Sequence, residues 1–116
     1  MIGHDTYAYR RDLPHLEKTG KTYFVTFSTA RRRVLKPGAR GIALDCCIDD
    51  DEVTYWLHCV TVMPDHVHML FTPYEEWSLS KIVARVKGVS AHRINRAESS
   101  RGCRWQRVVR SHRAFG

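Results

Sequence analysis

Residues 56–71 read Trp-Leu-His-Cys-Val-Thr-Val-Met-Pro-Asp-His-Val-His-Met-Leu-Phe, and this stretch decides the fold. β-Branched and aromatic residues, which favour strands, dominate on both sides of Met63-Pro64-Asp65. A proline cannot continue a strand ladder because it has no backbone N–H. The stretch therefore predicts two antiparallel strands, at 53–62 and 66–72, joined by a tight turn at 63–65.

Two histidines, His66 and His68, lie two residues apart on the second of these strands. Successive side chains of a strand point to opposite faces, so this spacing puts both imidazoles on one face and Val67 on the other. Two neutral imidazoles that converge on one point form half of a metal site. An isolated pair with this spacing is also compatible with a purely structural role. Asp65 could add an oxygen ligand, although its turn position favours a hinge role.

The remaining elements follow from periodicity and from turn residues. Alternating Tyr23, Val25 and Phe27 predict a strand at 21–28, and residues 37–47 form a short amphipathic helix with Pro37 in its first turn. A long helix follows Ser78, and residues 103–110 form a last strand. The order β-α-β-β-α-β predicts an α+β, ferredoxin-like fold, an antiparallel sheet with two helices on one face. Residues 1–20 are expected to be an irregular N-terminal arm, and 21–116 the domain.

The long helix has two distinct faces. Its apolar stripe is expected to pack on the sheet, whereas a basic ridge occupies another face, beside which we expect the histidine pair. The stripe comprises Leu79, Ile82, Val83, Val86, Val89, Ser90 and Ile94, and the ridge comprises Lys81, Arg85, His92 and Arg96. The acidic run 49–52 is expected to be a solvated turn and not a metal site.

The positive charge is concentrated at one end of the chain. The formal net charge is +7, and residues 81–116 contain ten Lys or Arg against one acid, which gives +9 there and −2 elsewhere. Such a concentration, rich in Arg, favours a phosphate-binding surface over a merely solvated basic face. Trp77 or Trp105 could stack on nucleobases, although Trp105 could equally be a core residue. The candidate nucleic-acid-binding residues are Lys81, Arg85, Lys87, Arg96, Arg104 and Arg107.

Composition excludes several classes of protein. No run of about 18 apolar residues is present, so we expect no transmembrane span. The first residues lack the apolar region of a signal peptide. The four cysteines show no CxxC spacing, and Cys46 and Cys47 are expected to be buried, reduced thiols of a cytoplasmic protein. A zinc hydrolase of the barrel type is also excluded, because that fold needs roughly 200 residues or more and the chain has 116.

Several segments together resemble the single-tyrosine HUH transposases, in particular the REP-associated tyrosine transposases. Their order and spacing along the chain are similar to those of the family. The segments are 57–70, which contains Met-Pro-Asp-His-Val-His, and 13–17, 23–27, 87–96 and 102–106.

The resemblance implies a domain that binds hairpin or single-stranded DNA, then nicks and rejoins it through a phosphotyrosine intermediate. It assigns His66 and His68 to a divalent cation, Mg²⁺ or Mn²⁺, that polarises the scissile phosphate. Zinc is not excluded by the ligand type. Relatives occur as monomers and as dimers, so a homodimer is among the expected partners.

The sequence departs from the family pattern at the nucleophile. The family's tyrosine lies on a helix after the last strand, whereas no tyrosine follows Tyr74 here. We therefore assign no catalytic residue. There are three explanations: truncation of a longer protein, a gene fragment, or a variant that binds without cutting. The first two need no new chemistry and are preferred. The alternative function is a non-catalytic module that binds single-stranded nucleic acid.

Overall fold

The structure is a computed structural model, which describes residues 7–10 and 21–115. Five strands and two helices are present in this part of the chain. They are β1 (Tyr7–Arg10), β2 (Thr22–Thr29), α1 (Pro37–Asp49), β3 (Tyr55–Val62), β4 (His66–Pro73), α2 (Leu79–Ala97) and β5 (Trp105–Phe115), with a 3-10 turn at Ala30–Arg32 after β2.

The strands form one antiparallel sheet in the order β1-β3-β4-β2-β5. The last four strands in this order have the ferredoxin-like arrangement, which confirms the predicted fold class. β4 is the central strand, so it is hydrogen-bonded on both sides. One row of paired residues crosses all five strands, and His68 is at its centre. The row is Ala8, Thr61, His68, Thr26 and Arg110.

Alternation along β4 separates two faces of the sheet. Val67, Met69 and Phe71 are buried, at 0–2% exposure, whereas His66, His68 and Leu70 are partly exposed. The buried set packs with apolar residues of both helices, including Ala43 of α1 and Ile82 of α2. Both helices therefore cover one face, here called the helix face. The other, which carries the histidines, is called the open face.

Helix ends follow the sequence signals. Pro37 occupies the first turn of α1, and the Ser78 hydroxyl accepts a hydrogen bond from the Lys81 backbone N–H at 3.2 Å. Along α2 the buried residues are Ile82, Val86, Ser90 and Ile94, as the stripe predicted. Cys46 and Cys47 are buried free thiols, also as predicted.

The structure corrects several boundaries. Residues 7–10 are not irregular, because they form β1 and pair with β3. Helix α1 extends to Asp49, and β5 extends to Phe115, well beyond residue 110. β3 begins at Tyr55, because residues 50–54 form a turn in which the Val53 and Thr54 backbone N–H groups donate to the Asp50 carbonyl. The resembling segment 13–17 lies outside the described residues.

Two side chains also differ from expectation. Asp50, in the acidic run, is buried and accepts hydrogen bonds from Arg85 at 2.9 Å and from the Thr54 hydroxyl at 3.1 Å. Trp105 is only 7% exposed, packs edge-on against Phe27 and donates its indole N–H to Ser90 at 3.0 Å. Trp105 is thus a core residue, and the idea that it stacks on bases is wrong. Among the described residues no helix is both long and apolar enough to cross a membrane.

Candidate metal centre and nucleic-acid interface

His66 and His68 lie side by side on the open face of β4. Their ring centroids are 4.6 Å apart, and the ring planes are nearly perpendicular, at 79°. His68 is also stacked on Phe24 of β2, with centroids 5.5 Å apart and planes at 17°. These contacts limit the rotation of His68, so the pair is ordered by its neighbours.

Each imidazole has its Nδ1 atom held by a neighbouring side chain. Nδ1 of His66 is 2.8 Å from Oδ1 of Asp65, and Nδ1 of His68 is 2.8 Å from the Thr26 hydroxyl. A carboxylate can only accept, so Nδ1 of His66 carries a proton, and in this tautomer Nε2 is the nitrogen that can bind a cation. The hydroxyl can accept in the same way from His68. This is the arrangement of ligand and outer partner that metal-binding histidines use.

The pKa shifts of His68 and Asp65 favour the binding of a cation by the histidine pair. Burial, followed by the proximity of His66, lowers the pKa of His68 below its ordinary value, so this imidazole is neutral at pH 7. The hydrogen bond from His66, with a further contribution from Arg32, lowers the pKa of Asp65. Asp65 is therefore a carboxylate that serves as the outer partner of His66.

The donor set fits half of a divalent-cation site. Two imidazoles face the same side of the sheet, and among residues 7–10 and 21–115 no third His, Cys, Asp or Glu joins them in a cluster. The other coordination positions of an ion here are left to water or to phosphate oxygens. Imidazole donors suit softer transition ions such as Zn²⁺ better than Mg²⁺ or Mn²⁺, for which oxygen ligands would complete the site.

The cations expected from the sequence are not beside the histidines. α2 covers the helix face, so the exposed residues Lys81 and Arg96 lie on the opposite side of the sheet from the pair. The expectation that the basic ridge adjoins the histidines is wrong. The reason is that the stripe and the ridge share one helix, and the stripe packs on the face away from His66 and His68.

Three of these cations make contacts within the chain. Arg85 pairs with Asp50 at 2.9 Å, and Arg104 pairs with Glu98 at 2.7 Å. Lys87 donates to the Gln106 carbonyl at 2.6 Å, and burial lowers its pKa. Arg107 of β5 is exposed, as are Lys81 and Arg96.

Sequence reasoning missed the residues that surround the histidines. Arg110 follows Thr26 in the row through His68, which puts its Cα about 10 Å from that of His68, two strand spacings away. His112 lies against Phe24, with centroids 5.4 Å apart. The alternating pattern of β5 shows that Arg110 and His112 share one face of this strand. Their position beside the histidines depends on how the strands pair, which cannot be read from the sequence.

A groove of about 840 Å³ lies at the other end of β4. Its lining is aromatic and polar, with one cation at its edge. Trp77, one of the two tryptophans expected to stack on bases, contributes to it and also lies under the Arg85 guanidinium at 5.7 Å from the ring centroid. The lining includes Lys21, Tyr23, Trp56, Tyr74 and Trp77.

All five tyrosines fall within the described residues, and none adjoins the histidine pair. Tyr7, Tyr9, Tyr23 and Tyr55 pack with the core on the helix face. Tyr74 follows the last residue of β4, about 20 Å from His68 along the strand. The structure of these residues therefore supplies no nucleophile next to the candidate metal centre.

Comparison with known proteins decides the family. The chain matches the family model described as "Transposase IS200 like" over residues 18–111. The chain belongs to the IS200-like transposase family. This result confirms the resemblance found in the motif segments, and it covers both the histidine strand and β5 through Ser111. A comparison with curated proteins gives no match.

Two solved structures show the same fold as this member of the IS200-like family. One is a crystal structure of a protein described as a transposase from Deinococcus radiodurans R1, with a TM-score of 0.62, 22% identity, and coverage of 90% of this chain and 85% of the other. The second is a REP-associated tyrosine transposase bound to a REP hairpin, with a TM-score of 0.64, 18% identity and 91% of this chain covered. The present chain spans 63% of the length of that second protein.

Proposed function

We propose that this chain is a DNA-binding transposase domain whose open face binds hairpin or single-stranded DNA next to a divalent cation on His66 and His68. The main support for the proposal is the pair of adjacent imidazoles. Their Nδ1 atoms lie 2.8 Å from side-chain oxygens of Asp65 and Thr26. Membership of the transposase family supports the DNA part of the proposal. The proposed cofactor is Mn²⁺ or Mg²⁺, with water or phosphate oxygens as its other ligands.

In this proposal some residues of the chain bind the cation and others orient the residues that bind it. A bound cation supplies Lewis-acid polarisation of a phosphate oxygen. His66 and His68 would hold it through Nε2, while Asp65 and Thr26 orient the two rings. In the intact family reaction a tyrosine oxygen attacks the phosphorus and displaces a sugar oxygen, which leaves as a hydroxyl, and the reverse exchange at the phosphotyrosine rejoins the DNA. No tyrosine of this chain is assigned to that step.

Cations on two surfaces would bind the DNA backbone. On the open face, Arg110 is exposed and forms no ion pair with the described residues, so its guanidinium is free to bind a phosphate near the cation. On the other surface, Lys81, Arg96 and Arg107 attract the remainder of a hairpin at longer range. The domain is only 21 Å across its shortest axis, so one hairpin is large enough to meet both surfaces.

The aromatic groove gives the domain a site for an unpaired base. Trp77 and Tyr74 line it, and stacking on aromatic rings is favourable for every base. Single-stranded bases reach such a groove, whereas bases in a regular duplex are already stacked. The groove therefore favours hairpins with single-stranded flanks over plain duplex DNA.

The experiment compares the two surfaces with matched variants. Fluorescence anisotropy would measure the affinity for a hairpin with a single-stranded flank, with and without Mn²⁺, at several salt concentrations. We expect Arg110→Ala to weaken binding and to reduce the gain from Mn²⁺, and Lys81→Ala to weaken binding equally with and without the ion. No preference for the hairpin over duplex DNA, or no effect of Mn²⁺, would contradict the proposal.

The second candidate function is a non-catalytic nucleic-acid-binding module, which the position of the five tyrosines favours. It predicts binding that falls steeply with salt and that is unchanged by a chelator. The chelator arm of the same titration separates the two functions. Cleavage by this chain that survives replacement of each tyrosine by Phe would contradict a tyrosine mechanism.

A further inference from the structure

A second contact of Asp65 involves the 3-10 turn that follows β2. Arg32 donates from Nε to Oδ2 of Asp65 at 3.0 Å, and its Nη2 atom lies 2.8 Å from the same oxygen. The other carboxylate oxygen, Oδ1, is 2.8 Å from Nδ1 of His66. Asp65 therefore connects Arg32 to His66, using one oxygen for each.

The turn that carries Arg32 is fixed to the loop that carries Asp65. The Thr29 N–H donates to the Asp65 carbonyl at 2.9 Å, and the Leu35 N–H donates to the Pro64 carbonyl at 2.7 Å. These bonds join the chain on both sides of the turn to residues 64 and 65. The separation between Arg32 and Asp65 is therefore set by backbone bonds on both sides.

The backbone of this turn is in an unusual conformation. Arg31 and Arg32 have φ values of 56° and 55°, in the left-handed region that residues other than glycine seldom adopt. Strained residues persist where the surrounding structure imposes them, and they are concentrated at functional sites. Both side chains are exposed, that of Arg32 at 57%, and they differ in one respect: Arg32 pairs with Asp65, whereas Arg31 forms no ion pair within residues 7–10 and 21–115.

We propose that Arg32 is a positioning residue for the candidate metal centre. Its guanidinium holds Asp65 in the rotamer that accepts from Nδ1 of His66, and this bond selects the tautomer in which Nε2 can bind a cation. Without Arg32 the carboxylate is free to turn towards solvent, since its side chain is 26% exposed. The inference rests on the proposed function for the metal, but the effect on the His66 tautomer does not need a metal.

The first test is made on the metal-free protein. Long-range ¹H–¹⁵N NMR correlations distinguish the two tautomers of each histidine. We expect the wild-type chain to show His66 protonated at Nδ1, Arg32→Ala to shift it towards a mixture, and Arg32→Lys to restore it in part. Arg31→Ala is the matched control, because it changes a neighbouring arginine with the same φ and should leave the spectrum of His66 unchanged. Asp65→Ala gives the spectrum expected when the acceptor is lost.

The second test measures the affinity for Mn²⁺ by titration with electron paramagnetic resonance. We expect Arg32→Ala to weaken binding about tenfold, the lower end of the effect of losing an outer partner, and Arg31→Ala to have no effect. An unchanged His66 tautomer in Arg32→Ala, or the same change in both arginine variants, would overturn the role of Arg32. Absence of Mn²⁺ binding by the wild-type chain would overturn the metal proposal, while the tautomer measurement would still decide the role of Arg32.

Discussion

The hydroxyl of Thr26 lies 2.8 Å from Nδ1 of His68, on the strand next to it. Thr26 and His68 are directly paired in the β2–β4 ladder. The contact joins residues that are 42 positions apart in the sequence, and it holds the outer nitrogen of one of the two candidate metal ligands.

Thr26→Val should weaken Mn²⁺ binding about tenfold, because it keeps the shape of the side chain and removes the partner of His68. The free energy of unfolding should fall by only about 1 kcal/mol, the usual net value of one hydrogen bond. Electron paramagnetic resonance and urea unfolding measure the two effects. Ser28→Ala, at the position paired with His66, is the control and should leave the Mn²⁺ affinity unchanged.

Ser90→Ala should destabilise the fold by about 1–3 kcal/mol, because the buried indole N–H of Trp105 then loses its acceptor. The measurement is urea unfolding followed by tryptophan fluorescence. Trp105→Phe removes the indole donor. The loss of stability caused by Ser90→Ala should therefore be smaller in the Trp105→Phe protein than in the wild type. Equal costs in the two backgrounds would show that this hydrogen bond contributes nothing.

Gly88→Ala should stabilise the protein by about 0.5–1 kcal/mol. Gly88 is in the interior of α2, where alanine has the better helix propensity, and a Cβ added there meets no atom within 4 Å. Thermal unfolding measures the gain. A loss of stability would mean that the exposed side of α2 is more crowded than the structure indicates.

The four thiols should react at very different rates. Burial, with smaller contributions from Cys46 and Asp50, raises the pKa of Cys47 far above the ordinary 9.0, so almost no thiolate is present in the folded protein. Cys103 is exposed. We expect iodoacetamide at pH 8 to modify Cys103 first and Cys47 only after unfolding, as peptide mass spectrometry would reveal. Early modification of Cys47 would contradict its burial.

The same burial predicts a loss of stability at alkaline pH. Cys47 and Tyr55 both have folded-state pKa values raised by burial above the ordinary 9.0 and 10.0. The unfolded chain therefore releases protons first, so their contribution is complete below about pH 9 and is lost as the pH rises above it. Urea unfolding at pH 7 and at pH 10 measures the change. Cys47→Ala should show a smaller loss between these two pH values.

The sequence by itself determined the elements from β2 to β5 and the two histidines of the candidate metal site, but not β1. Alternation of Val67, Met69 and Phe71 with His66 and His68 is a local property of one strand, so it predicted which residues are buried and which share the open face. The stripe of α2 and the cap at Ser78 are equally local. The predicted ends of β5 and α1 were less accurate, because strand pairing and helix packing decide where these elements stop.

Only the tertiary structure decided which residues surround the histidines. Thr26, Arg32 and Arg110 come from β2, from the following turn and from β5, and they approach the pair through strand register. The basic ridge of α2, although close to the histidines in the sequence, lies on the opposite face. The physical reason is that a helix must bury its apolar stripe against one side of the sheet, and the histidines occupy the other.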